Sequence, residues 1–226
     1  MIAARDAKAL AEAARDIARE TGGEIHVHSC DVARPTDLEA LFEASKRCVG
    51  GIDILVNNAG GSCRGRFEDL TDEVWQADLD LKLFAAIRLC RMALPGMRER
   101  RWGRILNVVS IVGKAPGPGG APTCVSRAAG IALTKVLSYE YAAHNITVNA
   151  LCPGAIKSSQ WESFHQRDAP GVPFHEYVRD QGRAIPAGRL GEPEEFARVA
   201  CFLASDAASY VTGVAINIDG GKSPVT

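Results

Sequence analysis

The stretch Ile52-Asp53-Ile54-Leu55-Val56-Asn57-Asn58-Ala59-Gly60 passes from an apolar, β-rich run straight into a turn of amides and small residues. Its apolar residues are consecutive rather than alternate, as in a strand covered on both faces. Four other short runs share this character: Glu24 to Ser29, Arg104 to Val109, Thr147 to Leu151 and Val214 to Ile218. Segments with helical spacing separate them. Strands that alternate with helices in this way predict a doubly wound α/β fold, a parallel sheet with helices on both faces.

The helical segments can be placed by their apolar stripes and end signals. Residues 7–20 present Leu10, Ala14 and Ile17 on one face, and residues 36–47 follow Pro35 with Thr36 as N-cap. Thr71 caps a long helix over 72–94, where Trp75, Leu79, Leu83, Ala86 and Cys90 form one stripe before Pro95 stops it. Two more helices are expected near 123–143 and 193–204. Between them, residues 153–192 hold Pro153, Pro170, Pro173 and Pro186, which predicts a mobile connection with at most a short helix. Long loops beyond the carboxyl ends of strands are where such folds bind ligands.

Of the 226 residues 46% are hydrophobic, enough for one core, so a single domain over 1–226 is expected. Lys plus Arg (26) nearly balance Asp plus Glu (27), leaving a net charge of -1. That balance provides no global positive field for nucleic acid or an anionic membrane surface. Apolar runs end well before the roughly 18 to 20 residues of a membrane span, and Arg5, Asp6 and Lys8 stand where a signal peptide needs an apolar core. A cytoplasmic location is expected. The seven cysteines (30, 48, 63, 90, 124, 152 and 201) include no C-x-x-C pair and are odd in number, which reads as reduced, mostly buried thiols. His26 and His28 share a strand face but lack a third ligand, so no metal is expected.

The turn Asn57-Asn58-Ala59-Gly60 gains meaning from what stands at the other strand ends: Asp31-Val32, the stretch Asn107 to Gly113, and Pro153-Gly154. With Gly188-Arg189, Pro193-Glu194-Glu195, the run Phe202 to Asp206 and Asp219-Gly220-Gly221, the whole chain resembles the short-chain dehydrogenase/reductase family. The resemblance implies an NAD(P)(H)-dependent oxidoreductase that interconverts a carbonyl and an alcohol on a small-molecule substrate. It implies Asp31 and Val32 at the adenine, Asn57, Ala59 and Gly60 at the adenosine ribose, and Pro153, Gly154, Ile156 and Ser158 at the nicotinamide carboxamide. Arg5, at the end of the second strand, whose tail is Met1 to Ala4, stands where the family chooses its cofactor, and a basic residue there favours NADP over NAD. The family's helices corresponding to 72–94 and 123–143, with its last strand, form dimers and tetramers, so a homodimer or homotetramer is expected.

Two departures stand out. The family's first strand, glycine-rich loop and helix have no counterpart here, and that strand lies in the sheet's centre. The expectation is a native product longer by about one strand-loop-helix unit, roughly 30 residues. The second departure is in the active site. Ser110 matches the family serine, but thirteen residues on stands Thr123 for the tyrosine, four further Arg127 for the lysine, and Lys82 occupies the helix asparagine's position. A threonine hydroxyl is a far weaker acid than a phenol, and arginine does not exchange its proton near neutrality. Convergence of Lys82, Arg127, Ser110 and Thr123 would make a cationic pocket for a carboxylate, phosphate or enolate, with Arg127 pushing the Lys82 pKa down. Two alternatives stay open: a lyase or dehydratase with Lys82 as acid or base, and a non-catalytic oligomer subunit. His165, beside Trp161 and Phe164 in the loop after Pro153-Gly154, reads as an exposed loop histidine rather than a proton carrier.

Overall fold

The computed structural model describes residues 1–226, and it shows an α/β arrangement of parallel strands wrapped by helices. The chain opens with β1 (Ile2–Ala4) and α1 (Ala7–Thr21), followed by β2 (Val27–Ser29) and α2 (Pro35–Val49). Asp6 caps α1 by accepting the amides of Lys8 and Ala9 at 2.9 and 3.0 Å, and Gly22, at φ 68°, ends it in the left-handed conformation that glycine adopts without strain. Next come β3 (Ile54–Asn57), the two-residue β4 (Arg64–Gly65), α3 (Asp72–Leu79) and α4 (Ala85–Arg100). The second half carries β5 (Gly103–Val108), β6 (Ala121–Pro122), α5 (Thr123–Tyr141) and β7 (Ile146–Pro153), then α6 (Gln160–Asp168), α7 (Phe174–Arg183), α8 (Pro193–Ala204) and β8 (Ala215–Ile218).

The parallel strands form two groups, β1 with β2, and β3-β5-β7-β8. β5 and β7 lie inside the second group; all six residues of β5 are buried, and so are those of β7 save Pro153, because helices cover both faces. β3 has a neighbour on one side only, and its Ile54 and Val56 remain 47% exposed. The largest apolar cluster joins α2, α4, β3, β5 and β7 through Leu38, Leu55, Leu94, Met97, Ile105 and Val148. A second lies on the opposite face, where Leu106 and Leu151 meet Leu203 of α8.

The structure corrects several local expectations. The helix over 72–94 is two helices joined by a π turn over Asp80–Phe84, and Pro95 lies inside α4 instead of ending it. The buried ridge Ala93, Leu94, Met97 continues past the proline, so packing outweighs the missing backbone donor. The π turn keeps Lys82 in the interior. Thr36 does not cap α2; Arg34 occupies that place, with Pro35 at the first helical position and no side-chain cap bond. Thr71 sits at the cap of α3 but makes no side-chain bond to it. Residues 153–192 hold two helices, α6 and α7, because Trp161, Val178, Ala155, Ile185 and Leu190 share a small core of their own. The strand expected from Glu24 is confined to Val27–Ser29. Four cysteines are buried as expected, but Cys48 and Cys201 are exposed.

Candidate active site

A cleft of about 1310 Å³ opens at the carboxyl ends of β5 and β7, between the segment 58–64 and the helices α6 and α7. Its floor is made by Val108, Val109 and Ser110 at the end of β5, and by the loop Pro153 to Ser158 after β7. That loop is held firmly. Across an isolated bridge between Ile156 and Gly191, the Lys157 amide donates to the Gly191 carbonyl and the Gly191 amide to the Ala155 carbonyl, both at 2.9 Å, and Trp161 Nε1 donates to the Ile156 carbonyl at 2.7 Å. A Cβ on Gly154 would stand 2.6 Å from that of Asp219, so only glycine lets the two backbones meet.

Ser110, Thr123 and Arg127 all line this cleft. Ser110 is lightly engaged, its hydroxyl 3.4 Å from the Pro153 carbonyl. Arg127 Nη1 donates to the Val108 carbonyl at 2.8 Å, while a Cβ on Gly60 would lie 2.3 Å from Arg127 Nη2. Gly60 is therefore where the guanidinium crosses the backbone. Burial lowers the Arg127 pKa, and Asp78 raises it in part.

Behind Thr123 lies a cluster of buried polar groups. Lys82 Nζ pairs with Asp78 Oδ1, both side chains only 1% exposed, and also donates to Thr123 Oγ1 at 2.8 Å. Ser126 donates to Asp78 Oδ2 at 2.6 Å. Thr123 Oγ1 further accepts the Cys63 amide at 3.0 Å and donates to the Cys63 carbonyl at 2.7 Å. One proton and two lone pairs are all a hydroxyl has, so every bonding position of Thr123 is occupied within the protein. The short antiparallel pairing of β4 with β6 brings Cys63 here, immediately before Arg64, which pairs with Pro122. Burial lowers the Lys82 pKa first, Asp78 opposes it, and Arg127 lowers it further.

The four expected catalytic positions are thus brought to one place, though not as an open cationic pocket. Lys82 does not line the cleft, and Asp78 offsets its charge. Asp78 is the residue that sequence reasoning missed; an acid four residues before Lys82 on an otherwise apolar helical face was the available signal. Of the expected cofactor positions, Gly60, Pro153, Gly154, Ile156 and Ser158 line the cleft. Asn57 instead joins a polar ladder, donating to Asn107 Oδ1 at 2.8 Å, and Asn107 donates to Thr134 of α5 at 2.9 Å. Asp31 Oδ1 accepts the Ala33 amide, and Val32 packs on the main core beside it. Ala59 is exposed in the turn after β3, and Arg5 is exposed just past β1, its carbonyl accepting from Ser29 Oγ at 3.0 Å. His165 is neither in a loop nor exposed: it lies buried in α6, its Nε2 2.6 Å from the Val172 carbonyl and its ring against Phe174 and Tyr177. No three His, Cys, Asp or Glu side chains are grouped to hold a metal.

A family model described as enoyl-(acyl carrier protein) reductase matches residues 1–223. The chain belongs to the short-chain dehydrogenase/reductase family. Among curated members of that family, acetoacetyl-CoA reductase of Shinella zoogloeoides is 38% identical over 214 residues, 93% of this chain and 83% of that protein. L-sorbose reductase from Gluconobacter frateurii, solved with NADPH and L-sorbose, superposes with a TM-score of 0.93 at 33% identity, covering 99% of this chain and 86% of its own. A short chain oxidoreductase from Pseudomonas aeruginosa PAO1, described as NADPH-bound and as containing an atypical catalytic center, gives a TM-score of 0.90 at 33% identity over 99% and 86%. The α/β fold expected from the sequence is that of these relatives. No helix of the chain is long and apolar enough to cross a membrane.

Proposed function

We propose that this chain is an NADP(H)-dependent oxidoreductase that interconverts a carbonyl and an alcohol on a small-molecule substrate, with an altered proton-handling centre. The single observation that carries the reading is the convergence of Ser110, Thr123 and Arg127 with the loop Pro153 to Ser158 on one cleft at the strands' carboxyl ends. NADPH accompanies two of the structural relatives above, and the donors present here suit its nicotinamide end. Ser158 and the backbone of Pro153, Gly154 and Ile156 would hold the carboxamide, and Arg5 would meet the 2'-phosphate. When bound, the cofactor supplies or takes up a hydride at the carbonyl carbon.

The protein's own part is orientation and proton handling. Ser110 retains a hydroxyl free to bond a substrate oxygen, since its present bonds are long. The Arg127 guanidinium has no carboxylate within ion-pair distance and places positive charge beside that oxygen. Lys82 stands one hydroxyl away from the cleft, so it acts on substrate through Thr123, an arrangement that favours redox chemistry over a lyase or dehydratase reaction needing direct abstraction by Lys82. We further assign the chain to a single domain, to the cytoplasm, and to a homodimer or homotetramer joined through α3, α4 and α5 with β8.

Nicotinamide fluorescence tests the reading. NADPH binding is expected, with weaker binding of NADH, and Arg5→Asp should reverse the preference. No binding at millimolar NADPH would refute it.

A further inference from the structure

The pair Asp78–Lys82 raises a question that the cleft residues do not answer. Both side chains are 1% exposed, and Thr123 and Ser126 around them are 4% and 2% exposed as whole residues. A desolvated ion pair with two satisfied hydroxyls adds little net stability compared with apolar side chains of the same volume. It does fix directions. Asp78 spends Oδ1 on Lys82 and Oδ2 on Ser126, which leaves the ammonium aimed at Thr123 Oγ1. Thr123 then clamps the cleft wall through both backbone groups of Cys63.

Resting on the oxidoreductase reading above, we propose that Asp78 is a positioning residue that keeps Lys82 protonated and aimed at Thr123, so that Lys82, Thr123 and the substrate oxygen form one proton relay. In the reducing direction the Thr123 O–H bond breaks as a new O–H bond forms on the substrate oxygen, and the bond to the Cys63 carbonyl is given up. An Nζ–H bond of Lys82 breaks at the same time to restore the Thr123 hydroxyl. Lys82 is left as a neutral amine beside the Asp78 carboxylate and, once product has left, regains its proton through the Thr123 hydroxyl from water in the cleft. Concerted reloading removes the need for an alkoxide on Thr123, which its high intrinsic pKa would forbid.

The charged and titratable groups that face Lys82 are Asp78 on its own helix, Arg127 on α5 and the Cys63 thiol beside β4. Burial and Arg127 favour the neutral amine, and Asp78 is the main group that opposes them. Removing its charge should therefore let Lys82 lose its proton at lower pH.

The test follows the Lys82 side-chain ammonium by NMR in lysine-labelled protein, the signal being assigned by its loss in Lys82→Met. In Asp78→Asn the ammonium signal should disappear at a pH at least one unit below that of the native protein, and Asp78→Glu should restore it. Equal pH values in native and Asp78→Asn protein would overturn the proposal. This readout needs no cofactor, so a failure to bind NADPH strikes the oxidoreductase reading alone. With ethyl acetoacetate as probe ketone, the alkaline limb of NADPH consumption should move down in Asp78→Asn along with the ammonium, and kcat should fall at least tenfold at pH 8 with KM little changed. An unmoved limb would overturn the proposal. If Asp78→Asn fails to fold, Thr123→Val takes its place. That variant should retain the Lys82 ammonium at neutral pH while losing at least tenfold in kcat, and retention of native kcat would overturn the proposal.

Discussion

Two buried cations lie at opposite ends of the sheet, and they are treated differently. Arg104, 1% exposed at the amino end of β5, stacks on Trp102 at 4.3 Å and reaches out to Asp206, whose side chain is 82% exposed. It also donates to the carbonyls of Gly103 and Asn145 at 2.9 and 3.1 Å. Lys82, near the carboxyl ends, meets a carboxylate as buried as itself. At the amino end the anion keeps its hydration, so only the Arg104 cation has been taken from water. At the cleft both charges have been taken from water, a costly arrangement that stability alone does not explain. The contrast separates a cation that ties loops together from one that, in the relay proposed above, serves chemistry.

The largest effect that would sharpen this contrast is expected for Asp78→Ala. It leaves a buried ammonium without its anion and should cost about 3–5 kcal/mol of unfolding free energy in urea at neutral pH. A loss below about 1 kcal/mol would erase the distinction between the two ends. Arg104→Met comes next, at about 1–3 kcal/mol, because the carbonyls of Gly103 and Asn145 lose their donor. By contrast Asp206→Ala should cost no more than about 1 kcal/mol, since its carboxylate is hydrated already. Equal losses for Arg104→Met and Asp206→Ala would break the comparison.

A third pair extends the series to the surface. Arg189 holds Glu195 at 2.7 and 2.8 Å, and the Glu195 carboxyl is drawn down to about 2 by that bonding and by the Glu192 amide. The folded value lies below the ordinary 4.5, so this group stabilises the fold above that pH and its contribution is lost as pH falls towards 2. Thermal melts between pH 4.5 and 2 should therefore slope less steeply in Glu195→Gln than in the native protein. The smallest effect concerns the thiols, which alter nothing in the fold but read burial directly. Burial pushes Cys90 up to about 12 and Cys152 up to about 11, whereas Cys48 and Cys201 are exposed. Iodoacetamide at pH 8 should modify Cys48 and Cys201 first, with Cys90 and Cys152 following only on unfolding.

Much of the fold was legible because its signals are local. Consecutive apolar runs ending in Asn57-Asn58-Ala59-Gly60 and Pro153-Gly154 mark strands and the ends that open on the cleft, and the resembled family's interval from Ser110 locates Thr123 and Arg127. The division of residues 72–94 at a π turn was not legible, nor was the survival of α4 through Pro95. Both depend on which side chains the core accepts, and propensity yields to packing there.

The sequence by itself determined the strand–helix alternation, because periodicity along a chain carries that information, and the resemblance of its motifs to the family placed Ser110, Thr123 and Arg127. Only the tertiary structure decided that Asp78 neutralises Lys82, that Cys63 occupies the Thr123 hydroxyl on two sides, and that His165 is buried within the helices over the cleft. Those outcomes rest on desolvation and on hydrogen-bond saturation, which are properties of the three-dimensional surroundings of a group and have no signature in its place along the chain.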